Sequence, residues 1–166
     1  MTTTRTAESM EARFNMFGSE LMTQFFRRFN GAAQVATESA LSTTMQELVR
    51  IRASQINGCG YCTDMHTKDA LAAGETQQRL NLIAAWRDAS VFTDAERAAL
   101  ALTEEGTRLA DAAIGVSEET WQAARQHFDD EQLAGLIVVI AVINAWNRLN
   151  VISGTPAGGY QPGQFA

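Results

Sequence analysis

Apolar residues recur at helical spacing along almost the whole chain, the pattern of helices that each bury one face. A first helix is predicted from about Ser19 to Glu38. Its apolar side carries Leu21, Phe25 and Phe29, with Met22 and Phe26 beside them. A second starts near Ser42 or Thr43, both suited to an N-cap, and ends at Gly58. A third runs from about Cys59 to Gly74 and a fourth from about Thr76 to Asp88. Thr93 and Glu96 have capping-box spacing and open a fifth helix. Ser117 caps a sixth, Glu118 to Phe128, and the last runs from about Asp130 to Ile152.

The last helix contains Leu136 to Ile143, a run whose β-branched residues would also suit a buried strand. The unbroken segment is too long for a typical strand, so it reads as helix. Being apolar all round, it is expected at the centre of the core or in a subunit interface. The fold class that follows is an all-α bundle of about six to seven helices. No internal repeat divides it. Both prolines, Pro156 and Pro162, fall near the C-terminus, so no proline interrupts the preceding pattern. Residues 1–155 read as a single helical domain. Residues 156–166 read as a flexible Gly/Pro-rich tail, a mobile extension or a partner-binding arm.

Composition narrows the function classes. With 166 residues, 46% hydrophobic and 19% charged, the chain can bury a core and is not of the disordered type. A formal charge of −6 disfavours a phosphate backbone, so no nucleic acid is expected as partner. Met1 to Met10 has no apolar run and does not read as a signal peptide. The most apolar stretch, Leu133 to Ala145, is shorter than the roughly 20 residues of a membrane span. The expectation is a cytoplasmic protein with no membrane contact.

The chain has two cysteines, Cys59 and Cys62. In a reducing cytosol a structural disulfide is not expected. Cys-x-x-Cys spacing then leaves a metal site or redox chemistry. Asn57 and Gly58 end one helix, so Cys59 stands at the N-terminus of the next. Unpaired N–H groups and the helix dipole favour a thiolate there. Cys62 and His66 are four apart and share a helical face. His66 can take the Cys62 proton or stabilise its thiolate. Asp64 and Lys68, also four apart, mark the opposite, solvated face, so Cys62, His66, Ala70 and Ala73 should look inward. A buried histidine needs a polar partner. The preceding helix offers Glu47, on the stripe with Ile51 and Ser54, although Glu47 could instead pair with Arg50 on the surface. Two Cys, His66 and Glu47 could also make a tetrahedral zinc site. Elsewhere, His127 reads as a surface helix-end residue, and Trp146, Asn147 and Arg148 as packing, capping or interface residues. Met45, Met65 and the phenylalanines of the first helix read as core.

These residues resemble the alkylhydroperoxidase D (AhpD)-like branch of the carboxymuconolactone decarboxylase family. That pattern is a Glu, Cys-x-x-Cys twelve residues on, and a His four past the second Cys; Glu47, Cys59, Cys62 and His66 fit every interval. Residues 47–52, 54–57, 64–70, 73–75 and 143–148 are similar as well. The resemblance spans roughly residues 10 to 155. It implies an AhpD-like helical bundle, assembly into homotrimers or homohexamers, and peroxidase activity without a tightly bound cofactor. It also implies that Cys62 attacks the peroxide, while Cys59 resolves the product and meets the reductant. The reductant would be an external dithiol, a lipoyl-bearing or thioredoxin-like protein partner. That branch carries a histidine just before the second cysteine, where this chain has Tyr61. The relay here is then shorter, or uses the Tyr61 hydroxyl. The rival readings are a general dithiol–disulfide oxidoreductase or redox sensor, a zinc-stabilised oligomer, and a decarboxylase. The last belongs to the branch that typically lacks the cysteine pair.

Overall fold

Side-chain caps set where the helices begin. Ser19, Ser42, Thr76, Thr93, Ser117 and Asp129 each accept a hydrogen bond from the backbone N–H three residues on. The structure is a computed structural model and describes residues 10–164. The first nine residues, on which the reading of the N-terminus falls, and the last two of the tail lie outside the described residues. The helices are α1 (Glu20–Thr37), α2 (Thr43–Ile56), α3 (Gly60–Ala72), α4 (Gln77–Leu82), α5 (Asp94–Thr107), α6 (Glu118–Arg125) and α7 (Asp130–Ser153). Short 3-10 turns lie at Met16–Gly18, Ile83–Asp88 and Leu109–Asp111. The described residues contain no strand, so the all-α reading holds.

Helix α2 is the hub, packed against α3, α5 and α7, while α1 lies along α7 and α6 along α5. One apolar cluster joins Met45 and Val49 of α2 to Leu102 of α5 and Leu136 and Val139 of α7. A second joins Leu48 and Ile51 to Leu80, Ile83, Trp86 and Leu100.

Several predicted details change. The sequence puts Leu21, Phe25 and Phe29 on the buried side of α1. In the structure, Phe26 and Phe29 pack on Trp146 of α7, and Leu21 and Phe25 are exposed. The helix carries more apolar surface than α7 alone can cover. The single helix expected over Thr76–Asp88 breaks after Leu82 into a 3-10 turn with non-helical backbone at Ala85. Arg97 of α5 donates to the carbonyls of Trp86, Arg87 and Ala89 at the far end of this turn. Helix α7 is buried on one side only, and Ile137 and Ile152 are exposed. By length and composition α7 could cross a membrane, unlike the shorter run within it. Its inner row, however, ends in Asn144, Asn147 and Asn150, all buried, and the first two bond to side chains of α5 and α2. This is the packing of a core helix.

The tail was expected to be flexible or to act as a partner-binding arm. As far as it is described, it lies against α3. The Tyr160 hydroxyl donates to Asp69 at 2.8 Å, and the Gly158 N–H to Asp64 at 3.0 Å. Lys68 donates to the carbonyls of Gly158 and Tyr160. Tyr160 is buried, and burial together with the Asp69 bond pushes its phenol up to about 12. The Asp64–Lys68 pair forms as expected, but it lies under the tail rather than on a solvated face. One buried tyrosine and four hydrogen bonds hold this part of the tail.

One buried carboxylate ties the fold together. Glu104 of α5 accepts from Arg52 at 2.8 Å, Trp86 at 2.9 Å and Arg87 at 2.6 Å. Burial pushes its carboxyl up, but these donors hold it below the usual range. Removing one partner of a buried charge set costs about 3–5 kcal/mol. Glu104→Gln is therefore expected to lose about that much stability in denaturant titration. Because its folded pKa is depressed, the Glu104 contribution is complete above the ordinary value of 4.5 and fades as pH falls through the lower folded value. Wild-type stability should decline on that acid side, and the variant should decline less.

Candidate functional site

The site is built on the turn between α2 and α3. Gly58 has φ of 65° and occupies the left-handed position that ends α2. The Cys59 N–H donates to the Ser54 carbonyl at 2.9 Å and the Gly58 N–H to that of Gln55, a Schellman closure. The same Cys59 is the N-cap of α3, and its Sγ accepts from the Cys62 N–H at 3.2 Å. One residue thus closes one helix and opens the next. Asn57 locks the turn to α7 by donating to the side-chain oxygens of Asn144 and Asn147 at 2.9 and 2.8 Å. Asn147 in turn donates to Ser54 at 3.0 Å.

Cys59 and Cys62 are joined as a disulfide, with Cα atoms 5.4 Å apart. Both residues are buried, 2% exposed each, so solvent does not reach the sulfurs freely. They pack with Ala53 and Ile143, and with the half-buried Tyr61 and Trp146.

His66 is buried one turn beyond Cys62, and its Nδ1 lies 2.9 Å from Glu47 Oε2. A carboxylate only accepts, so Nδ1 carries the hydrogen, and Nε2 is the atom that can hold or release a second proton. Glu47 Oε1 accepts from Arg50 at 2.6 Å. Glu47 therefore serves both partners weighed for it, one through each oxygen. Burial pushes its carboxyl up, but the hydrogen bond and charge of His66 and the charge of Arg50 outweigh this, and it sits below its ordinary value. Glu47 is thus held ionised. Thr43, Thr44, Ala70 and Ala73 line a small cleft that reaches it.

Other expectations separate here. Ala70 is buried with Cys62 and His66, but Ala73 is exposed, because α3 ends at Ala72. The Tyr61 hydroxyl makes no hydrogen bond among the described residues, so no chain of bonds links it to His66. Burial, then the charges of Asp64 and Asp69, push its phenol up and keep it protonated. The zinc arrangement does not form. The sulfurs are bonded to each other, Glu47 is engaged by His66 and Arg50, and no group of three or more potential ligands gathers among the described residues. His127 is exposed, as expected.

One neighbour of the sulfurs was not anticipated. Asn150 of α7 directs its Nδ2 at Cys62 Sγ, 3.6 Å away. The available signal was three asparagines, 144, 147 and 150, at intervals of three along α7. That spacing places a polar row on one face.

The structure is thus an all-helical bundle with a Cys-x-x-Cys disulfide at a helix N-terminus and a Glu–His pair behind it. The profile of the carboxymuconolactone decarboxylase family matches residues 20–105, and the chain belongs to that family. The uncharacterized protein YdfG of Bacillus subtilis (strain 168) is 40% identical over 120 residues, 72% of this chain and 80% of its own. A structure from Agrobacterium tumefaciens, of unknown function and described as a candidate AhpD antioxidant-defence protein, superposes with a TM-score of 0.83. It is 31% identical and covers 90% of this chain and 100% of its own. The debrominase Bmp8 shares the fold, with a TM-score of 0.75 at 17% identity over 82% of this chain and 73% of its own.

Proposed function

We propose that the chain is a thiol-dependent peroxidase in which Cys59 and Cys62 reduce a peroxide and an external dithiol restores them. The observation that carries this reading is a bonded Cys59–Cys62 pair with an ionised Glu47 holding His66 one turn away. His66 Nε2 takes the Cys62 proton, and the thiolate attacks the terminal oxygen of the peroxide. The O–O bond breaks, the sulfur gives up two electrons and becomes a sulfenic acid, and the alkoxide leaves with the proton from Nε2. The Cys59 thiol then attacks the Cys62 sulfur. The S–S bond forms, and hydroxide departs with the Cys59 proton as water. A lipoyl-bearing or thioredoxin-like dithiol returns the two electrons by exchange. Ionised Glu47 stabilises the imidazolium between these steps, and its cleft gives protons a route to solvent.

A buried dithiol suits a substrate as small as a peroxide. Tyr61 serves in this scheme as packing beside the sulfurs rather than as a relay. The exposed Leu21 and Phe25 of α1 are the surface on which a homotrimer or homohexamer would form, in the cytoplasm. The retained cysteine pair argues against a decarboxylase.

The test is a kinetic assay with hydrogen peroxide and an organic peroxide, using dihydrolipoamide, thioredoxin or a simple dithiol as donor. Peroxide loss that depends on protein and on at least one donor is expected. Rapid disulfide exchange with no peroxide loss would overturn the reading in favour of a general dithiol–disulfide oxidoreductase or redox sensor.

A further inference from the structure

We infer that Asn150 is the hydrogen-bond donor that holds the Cys62 sulfur as a thiolate, a positioning role that rests on the part given to Cys62 above. The geometry identifies the donor atom. Asn150 Nδ2 bonds to the Trp146 carbonyl at 3.0 Å. A carbonyl can only accept, so the group facing it is the amide NH2 and not the amide oxygen. The same nitrogen lies 3.6 Å from Cys62 Sγ, and its second hydrogen is available to the sulfur.

The residue is also fixed in place. Asn150 is buried, and its own carbonyl accepts from the Thr155 N–H at 3.0 Å in the closure of α7. Gly154, with φ of 69°, makes that closure possible. Asn144 and Asn147, on the same row, serve the α2–α3 turn instead. Asn150 alone of the three faces sulfur. The two sulfurs are thereby told apart: Cys59 accepts from a backbone N–H and Cys62 from a side-chain amide.

A donor to an ionised sulfur strengthens as charge develops on it and so favours the thiolate. The other ionisable groups around Cys62 come from α2 and α3. They are Cys59, Tyr61 and His66, with Glu47 and Arg50 behind His66, and Asp64, Lys68 and Asp69 under the tail with Tyr160. The α7 side contributes uncharged amides at Asn147 and Asn150. Removing the Asn150 donor therefore alters the Cys62 equilibrium without removing a charge.

The experiment follows Cys62 alkylation by iodoacetamide against pH in Cys59→Ser protein, read by intact mass. Adding Asn150→Leu is expected to raise the midpoint by about one pH unit, about tenfold less thiolate at neutral pH. Asn150→Asp should raise it further, because a carboxylate would face the thiolate. An unchanged midpoint in variants of native helicity overturns the inference. A second measurement keeps Asn150 in place. In Cys59→Ser protein, the Asn150 side-chain amide resonance should move with the midpoint of Cys62 alkylation, and a resonance that stays fixed through that range also overturns it. Neither measurement uses a peroxide. A wild type that consumes none defeats the peroxidase reading, while the Asn150 inference is decided by its own titration.

Discussion

Cys62→Ser is expected to abolish peroxide-dependent thiol oxidation, whereas Cys59→Ser should still form one sulfenic acid per chain. The two sulfurs have nearly equal burial but different surroundings. Cys59 caps α3 and closes α2, and its Sγ already accepts from the Cys62 N–H. Cys62 lies on the face with His66, the base whose Nδ1 is anchored to Glu47. His66 stands one helical turn from Cys62 and two from Cys59, which favours Cys62 as the sulfur it deprotonates. Serine at position 59 can keep the N-cap bond, since a hydroxyl accepts as sulfur does, so that variant should stay folded. A dimedone adduct on Cys62 in Cys59→Ser protein, and none in Cys62→Ser protein, is the readout. Adducts appearing on Cys59 instead would reverse the assignment of attacker and resolver.

The second large effect belongs to the Glu47–His66 pair. General acid–base groups commonly contribute about 10²–10⁴-fold to rate. His66→Ala is expected to lower the peroxide-dependent rate within that range, with helicity retained. Glu47→Gln should cost less, because an amide oxygen can still accept from Nδ1 but carries no charge. Arg50 gives this account a pH test. Burial favours a neutral Glu47, and His66 and then Arg50 counter it. Removing Arg50 raises the Glu47 pKa, so an Arg50→Gln enzyme should lose rate at a higher pH on acidification than wild type. A shift in the opposite direction would contradict the role given to Glu47.

The dithiol, its histidine and its glutamate are legible because they obey spacing rules within one or two helices. Cys62 and His66 are four apart, and Glu47 reaches them across a turn marked by Asn57 and Gly58. The caps at Ser42, Thr93 and Ser117 are local for the same reason, and they placed three of the seven helix starts. What escaped the sequence depends on contacts distant along the chain. Asn150 meets Cys62 across 88 positions, and no pattern near the cysteines points to it. Glu104 reads as one acidic position on a helix until Arg52, Trp86 and Arg87 surround it. The far end of the 3-10 turn that follows Leu82 is held by Arg97 from the next helix. In the tail, glycine and proline gave no sign of the Tyr160 contact with Asp69, 91 positions away. On α1 the periodicity was visible but not the partner, so the choice between Phe25 and Phe26 as the buried side lay with Trp146.

The central claim is that Cys59 and Cys62 are oxidised together by a peroxide. Reduced protein mixed with less than one equivalent of peroxide in a single turnover tests this most directly, with free thiols counted and the linked peptide sought by mass spectrometry. Two thiols lost for each peroxide consumed, and recovery of a Cys59–Cys62 disulfide peptide, are expected. Thiols that remain free, or peroxide that disappears equally fast with Cys62→Ser, would contradict it.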